Sequence, residues 1–178
     1  IIMETLDKKC ILIPIQDPKF GTTHHVHVNI DAEENKQIVV TDIYIEIEYS
    51  KNFRLIDSRG SSVYDFFDTI ELRYNGIIIS LNMNDMFKII SSQTDESKQQ
   101  GFDIMCGTNN MNSPEKICRA YIPLYPCDFL KLKTEMSKEF ECDIYIKTKQ
   151  SCDVMLKLYS ESFLEIIQMN LYFDQYYE

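Results

Sequence analysis

The sequence predicts an all-β fold, an eight-stranded antiparallel jelly-roll β-sandwich with one short helix. Three observations carry this prediction. Polar and apolar residues alternate with a period of two through most of the chain, turn signals recur between the alternating runs, and only one segment has helical spacing. Helices do not alternate with strands, which argues against an α/β fold. Eight or nine strands of similar length suit a jelly roll.

The clearest strands lie in the first third of the chain. Within residues 25–30, Val26, Val28 and Ile30 face one way and polar residues face the other. Residues 39–49 repeat this alternation over a longer run. Further strands are predicted at residues 66–74, 77–81, 102–106, 117–124, 140–148, 154–159 and 163–173.

Turns, loops and one helix separate these strands. Asn75-Gly76 between two apolar runs predicts a hairpin. Residues 84–92, with apolar residues at helical spacing, predict the helix, and the polar residues 94–101 predict an exposed loop. A second loop is predicted at residues 107–115 because this stretch is rich in Asn and ends near a proline.

A sandwich of these strands has a core that follows from their alternation. An immunoglobulin-type sandwich remains an alternative, although the chain has no Trp and lacks the paired cysteines that surround one in that fold. The predicted core consists of Val26, Val28, Ile30, Ile43, Ile45, Ile47, Ile70, Leu72, Ile144, Ile146, Leu156 and Leu158.

Length and charge limit the classes of function. The 178 residues carry 18 Lys and Arg against 28 Asp and Glu, which gives a formal charge of −10. We expect a single domain over residues 1–178, and the acidity argues against direct nucleic-acid binding. We expect no transmembrane segment and no signal peptide, since neither a long apolar run nor a charged-then-apolar leader occurs. Because the sequence starts at Ile1, we also expect it to be part of a longer protein.

The cysteines are widely and unevenly spaced, and no C-x-x-C pair occurs, which argues against a zinc ribbon or a thioredoxin-like site. Several lie in apolar strand patterns. We therefore predict buried free thiols in a reducing compartment, although an even count would allow three disulfides. The six residues are Cys10, Cys106, Cys118, Cys127, Cys142 and Cys152.

The histidines lie together in one short stretch. His25 and His27 are two apart on a predicted strand, so their imidazoles project from one face and can share a metal ion. With Gly21 before them and Glu33 after them, the stretch resembles the first motif of the cupins, jelly-roll metalloenzymes. The alternative, which we favour, is a solvated strand face on which His alternates with Val.

Motifs for other chemistry are missing from the sequence. It has neither a G-x-S-x-G elbow nor a phosphate-binding glycine loop, so we predict no enzyme and no cofactor. Asp42, Glu46 and Glu48 share a strand face, which is typical of a solvated surface. The aromatic residues within 171–177 are expected to cover the core or to meet a neighbouring subunit.

Five features follow one another along the chain: a Phe-Gly step and alternating strand at 19–21 and 40–49, a strand, turn and helix at 62–92, a Gly-Phe to Cys-Gly segment at 101–107, an Ile-Pro-Leu strand at 121–129, and a closing strand at 170–176. In this order they resemble the first jelly roll of the major capsid proteins of nucleocytoplasmic large DNA viruses. Together they span nearly the whole chain in the family's order.

The resemblance implies a viral structural protein. We expect a capsid subunit that forms homotrimers, binds other capsid proteins, resides in the virion and is assembled in the host cytoplasm. It further implies that the chain is the first half of a double jelly roll. A divergent major capsid protein, a scaffold protein, a penton and a minor capsid component all fit. The alternatives from other classes are a cupin-like metal-binding domain and a β-sandwich that binds a host protein through its loops.

Overall fold

The fold consists of eight strands in two antiparallel sheets. The computed structural model describes residues 8–31, 38–54, 62–74, 76–108, 110–124, 139–151, 154 and 163–177. The strands are β1 (Lys8–Pro14), β2 (Thr23–Asp31), β3 (Ile38–Lys51), β4 (Phe67–Tyr74), β5 (Ile77–Asn82), β6 (Ile117–Pro123), β7 (Glu139–Thr148) and β8 (Leu164–Tyr177).

The strand order is that of a sandwich whose connections cross between its layers. One sheet has the order β1-β8-β3-β6 and the other the order β2-β7-β4-β5. Successive strands alternate between the two sheets, and only β4 and β5 follow each other in the same sheet. The predicted jelly-roll class is thereby confirmed. Because of this order, residues far apart in sequence become neighbours, as when β2 pairs with β7.

The core lies between the sheets, where the alternation in the sequence places it. Burial of one large aliphatic side chain in this core stabilises the folded protein by about 1.5–3 kcal/mol. The side chains of Ile30, Leu156 and Leu158 lie outside the described residues. The other predicted core residues are all buried: Val26, Val28, Ile43, Ile45, Ile47, Ile70, Leu72, Ile144 and Ile146.

The predicted hairpin connects β4 to β5. Tyr74 pairs with Ile77 across it, and Gly76 has a φ of 74°. A two-residue hairpin turn of this kind requires the left-handed region, which glycine enters without steric cost. Asn75 itself lies outside the described residues.

The first strand, β1, was missed by the sequence analysis. Ile11 and Ile13 pack against the core, whereas Leu12 between them is 46% exposed. The alternation is hidden because both faces carry aliphatic residues. Pro14 ends the strand, as is common at a sheet edge.

Two α-helices, not one, follow β5. The predicted helix corresponds to α1 (Met83–Gln93), which begins where the Asn82 side chain accepts hydrogen bonds from two backbone N–H groups. The predictions of a loop at 94–101 and a strand at 102–106 are wrong, since α2 (Glu96–Met105) occupies this segment.

Packing on α1 explains why α2 is helical despite its polar sequence. The buried ring of Phe102 lies 6.0 Å from the ring of Phe87 in α1. Only this part of α2 is apolar, so a local reading of the sequence finds a loop followed by a short strand. The helix is stabilised by tertiary contact more than by intrinsic propensity.

Shorter helical turns complete the described chain. Single 3-10 turns occur at Val63–Phe66 and Asn110–Asn112, the second within the predicted loop 107–115. The N–H of Val154 donates to the carbonyl of Gln150 at 3.3 Å, so a helical turn stands where a strand was predicted to begin, and residues 155–159 lie outside the description. None of the helices in the described part of the chain is long and apolar enough to cross a membrane.

Candidate functional site

The outward face of β2 carries the two histidines that the sequence singled out. His25 and His27 each have about half of their side chain exposed, at 50%, while Val26 and Val28 point into the core. The predicted strand alternation is therefore confirmed here. Both imidazoles lie on the same face of the sheet.

The neighbouring strand β7 supplies two carboxylates to these imidazoles. Nε2 of His25 and Nδ1 of His27 both contact Oδ1 of Asp143, at 2.8 and 2.9 Å. Nε2 of His27 lies 3.0 Å from Oε1 of Glu141. We call these four residues the histidine cluster.

The geometry of the histidine cluster favours a charged imidazole at His27. Both ring nitrogens of His27 face carboxylate oxygens, and a neutral imidazole has only one N–H to donate. The hydrogen bond to Asp143 raises the pKa of His27 above its ordinary 6.5, and the negative charges of Asp143 and Glu141 add to this effect. Hydrogen bonds from His27 and His25 lower the pKa of Asp143 below its ordinary 3.8.

An aromatic ring and a guanidinium extend the cluster across the sheet. The ring of Tyr145 stacks on the His25 imidazole with centroids 4.5 Å apart. Arg73 of β4 lies over the same ring at 4.6 Å, and its Nε donates to Glu71 at 3.0 Å. These side chains form one polar strip over β2, β7 and β4, and this strip provides alternating charges for contact with another surface.

The third histidine does not join the strip. His24 points into the protein and is only 8% exposed. Its Nε2 accepts a hydrogen bond from the backbone N–H of Lys19 at 3.1 Å and also contacts the hydroxyl of Thr22. His24 therefore stabilises the turn before β2, which is a structural role.

The described residues contain no group of three or more His, Cys, Asp or Glu arranged to hold a metal ion. Glu33, the third candidate of the predicted metal site, lies outside them. The site at His25, His27 and Glu33 therefore stays a prediction, which elemental analysis of protein purified without chelator would test. Within the cluster, the imidazoles bind carboxylates instead.

Sequence reasoning missed both carboxylates. Glu141 and Asp143 stand at alternate positions of a strand that was predicted at 140–148, so their outward direction was readable. Their contact with the histidines depends on β2 pairing with β7, which are separated by more than a hundred residues. Nothing local in the sequence indicates that pairing.

The outer face of the β1-β8-β3-β6 sheet has a different chemistry. The rings of Tyr44 and Tyr172 stack with centroids 4.8 Å apart. Glu46 accepts hydrogen bonds from Asn170 at 3.2 Å and from the Tyr172 hydroxyl at 3.3 Å. We call this surface, with the exposed Leu12 beside Tyr172 in the sheet, the tyrosine face.

The described cysteines include three buried thiols that form no disulfide, Cys106, Cys118 and Cys142, while Cys10 is exposed. Burial raises the pKa of Cys142 to about 12 and also raises the pKa of Cys106. Such groups remain protonated thiols at neutral pH and pack as small apolar side chains.

Comparison with known proteins adds to this geometry. No protein-family model and no curated protein sequence matches the chain. Among solved structures, a chain in the quasi-atomic model of the PBCV-1 virus capsid is similar with a TM-score of 0.65 and 14% identity over 100% of this chain. A chain in the cryo-EM structure of the Sputnik virophage is similar with a TM-score of 0.66 and 9% identity over 99%.

The similarity covers only part of those larger chains. This chain spans 44% of the PBCV-1 chain and 49% of the Sputnik chain, about half of each. At such low identity, the likeness concerns the path of the backbone and not individual side chains. The described strands, their two-sheet order and these matches agree: the chain has a jelly-roll fold, similar to the folds of the matched chains in these two virus structures.

Proposed function

We propose that this chain is a viral capsid subunit whose role is to pack against copies of itself and against other capsid proteins. The observation that supports this proposal is the extent of the fold similarity, which covers 100% and 99% of the chain in two viral structures. The role is structural, and it requires neither a cofactor nor a catalytic step.

In finer detail, we propose that the chain forms the first jelly roll of a double-jelly-roll capsid protein of a large DNA virus, assembled as a homotrimer. Support comes from the order of similar motifs along the sequence and from the coverage of 44% and 49% of the two viral chains. The reading frame beyond the Glu178 codon tests the second jelly roll: a further run of alternating strands is expected there, and a stop codon without one would overturn this part.

The proposed setting is the virion, with assembly in the host cytoplasm. The net charge of −10 is compatible with a shell that surrounds a genome without binding DNA directly. Because copies of the chain share this negative charge, shell formation depends on contact surfaces with few acidic residues.

The tyrosine face is a suitable packing surface. Its stacked rings are already ordered by contact with each other and with Glu46, so little side-chain entropy is lost on association. Aromatic residues are enriched where protein surfaces meet. Leu12 adds apolar area to this face, with 46% of its surface exposed.

Sedimentation velocity over a range of concentrations, followed by negative-stain microscopy, tests the capsid role. We expect trimers and larger assemblies. Leu12→Asp, on the tyrosine face, should prevent the formation of trimers and larger assemblies, whereas Ile104→Asp, on the exposed side of α2, should leave their formation unchanged. A protein that forms nothing larger than a dimer at the highest concentration contradicts the proposal. Equal assembly by both variants would show that the tyrosine face is not the packing surface.

A further inference from the structure

The strand β2 forms one edge of its sheet. It pairs with β7 on one side, and no described strand pairs with its other side. Its nine residues make it longer than β5, the strand at the opposite edge. An edge strand carries a row of backbone N–H and C=O groups that have no partner within the sheet.

The hydrogen-bond pattern identifies which groups point outward. The N–H of Thr148 donates to the carbonyl of Thr22 at 3.0 Å, just before β2 begins. Bonded and non-bonded pairs alternate along an antiparallel ladder, so the even-numbered residues of β2 bond to β7. The odd-numbered residues Thr23, His25, His27 and Asn29 direct their backbone groups away from β7, and among the described residues these groups have no hydrogen-bond partner.

The other edges are protected in ways that β2 is not. Proteins commonly protect an edge with Lys, Pro, a short strand or a covering element. β1 ends at Pro14, and β6 carries Arg119 and Pro123. β5 has only six residues and continues directly into α1. From residue 23 to residue 30, β2 contains no Lys, Arg, Pro, Asp or Glu.

Charge limits where a second copy of this chain can associate, and β2 lies in a stretch where repulsion between copies is weak. Two copies that each carry a net charge of −10 repel each other over most approaches. The stretch from Pro18 to Ile30 has no acidic residue. A groove of about 410 Å³, lined by residues 14–16 and 23–27, lies beside this stretch.

We propose that the β2 strands of two copies pair antiparallel about a two-fold axis and join their sheets into one. The axis passes beside Val26, so that Thr23 faces Asn29 of the other copy and His25 faces its His27. About eight backbone hydrogen bonds form in this register. A register shifted by one pair would place the His27 residues of the two copies opposite each other. Each of these imidazoles is already held between two carboxylates of its own copy.

This pairing deepens the proposed function, because it names one contact between subunits, yet it does not require a shell. An isologous contact places the same patch on both copies, which closes at a dimer unless other surfaces also associate. Edge pairing and trimer or shell formation are therefore measured separately. A dimer that forms no larger assembly contradicts only the shell, and assembly that is unchanged by Asn29→Pro contradicts only the edge pairing.

Disulfide trapping tests the register. In a Cys10→Ser background, the double variant Thr23→Cys/Asn29→Cys places a thiol opposite a thiol across the axis. Each single variant places its two thiols roughly 20 Å apart along the strands. We expect the double variant to form at least about fivefold more covalent dimer on a non-reducing gel than either single variant. Equal yields from all three overturn the proposal.

A proline substitution tests the backbone pairing itself. Asn29→Pro removes an outward N–H while leaving the ladder to β7 intact, and Asn29→Ala changes the same exposed side chain without removing the N–H. Circular dichroism verifies that both variants fold. We expect Asn29→Pro to weaken dimerisation at least about tenfold in sedimentation equilibrium and Asn29→Ala to leave it unchanged. Equal dimerisation of the two variants, or a monomeric parent protein, overturns the proposal.

Discussion

The two faces of the β2–β7 strand pair differ completely although they share one backbone. On the inner face, Val28 and Ile144 are almost fully buried. On the outer face, His27 and Asp143 are 50% and 37% exposed and contact each other directly. The inner face excludes water and determines stability, whereas the outer face holds charges that respond to pH and to neighbouring molecules.

This difference follows from the two-residue period of a strand. A side chain on one face can be substituted without altering the contacts of the other face, because successive residues point to opposite sides of the sheet. Mutations on the two faces are therefore expected to have different sizes and different pH dependence.

The largest expected effect is on the inner face. Ile144→Ala should lower the free energy of unfolding by about 2–5 kcal/mol, because the side chain is 1% exposed and its removal leaves a cavity. Ile78→Ala makes the same change at a residue of the same sheet that is 62% exposed, and it should cost less than about 0.5 kcal/mol. Urea denaturation measures both. Similar losses would mean that burial does not separate the two positions.

Chemical protection of Cys142 is the next test of the inner face. The thiol is 2% exposed and its pKa is raised to about 12 by burial, so little reactive thiolate forms near pH 8. In the native protein, iodoacetamide should modify the exposed Cys10 at least about a hundredfold faster than Cys142, as measured by peptide mass spectrometry. The two rates should approach each other in urea. Equal rates in the native protein would contradict the buried placement.

Much of the inner face was predictable from the sequence. Val26 and Ile45 were assigned to the core from alternation alone, because a half-buried strand records its environment at every second residue. The hairpin turn between β4 and β5 was also predictable, because Asn-Gly between two apolar runs is typical of a two-residue hairpin. Long runs in which polar and apolar residues alternate are therefore sufficient to predict the fold class.

Other features depend on contacts that are distant in sequence. Phe102 was assigned to a strand because the contact with Phe87 that stabilises α2 is absent from the local pattern. The outward direction of Asp143 followed from its strand, but its contact with His25 and His27 required the pairing of β2 with β7. The histidines were found and their carboxylate partners were not, because residue type is local and register is not.

On the outer face, stability should depend on pH. Because the pKa of His27 is raised, its contribution to the stability of the folded protein is fully present below about pH 6.5. This contribution is lost as the pH rises through the higher pKa that His27 has in the folded protein. The lowered pKa of Asp143 means that its contribution is present above about pH 3.8 and is lost at lower pH. The free energy of unfolding of the wild type should therefore exceed that of Asp143→Asn by most between about pH 4 and pH 6.5, as measured by urea denaturation across pH.

The double variant His25→Gln/His27→Gln provides the control for this pH dependence. Without the imidazoles, Asp143→Asn should have the same small effect at pH 6 and at pH 9. A pH-dependent difference that persists in this background would assign the titration to groups other than the histidine cluster.

The smallest expected effect is at the aromatic ring that connects the cluster to β4. Tyr145→Phe keeps the ring that stacks on His25 and lies under Arg73, so it should leave Tm unchanged. Tyr145→Ala removes both contacts of a half-buried side chain on the outer face and should lower Tm by no more than about 3 °C. Differential scanning calorimetry measures both. A larger loss with Tyr145→Ala would mean that the outer face also determines the stability of the sandwich, and the contrast between the two faces of β2 and β7 would then no longer hold.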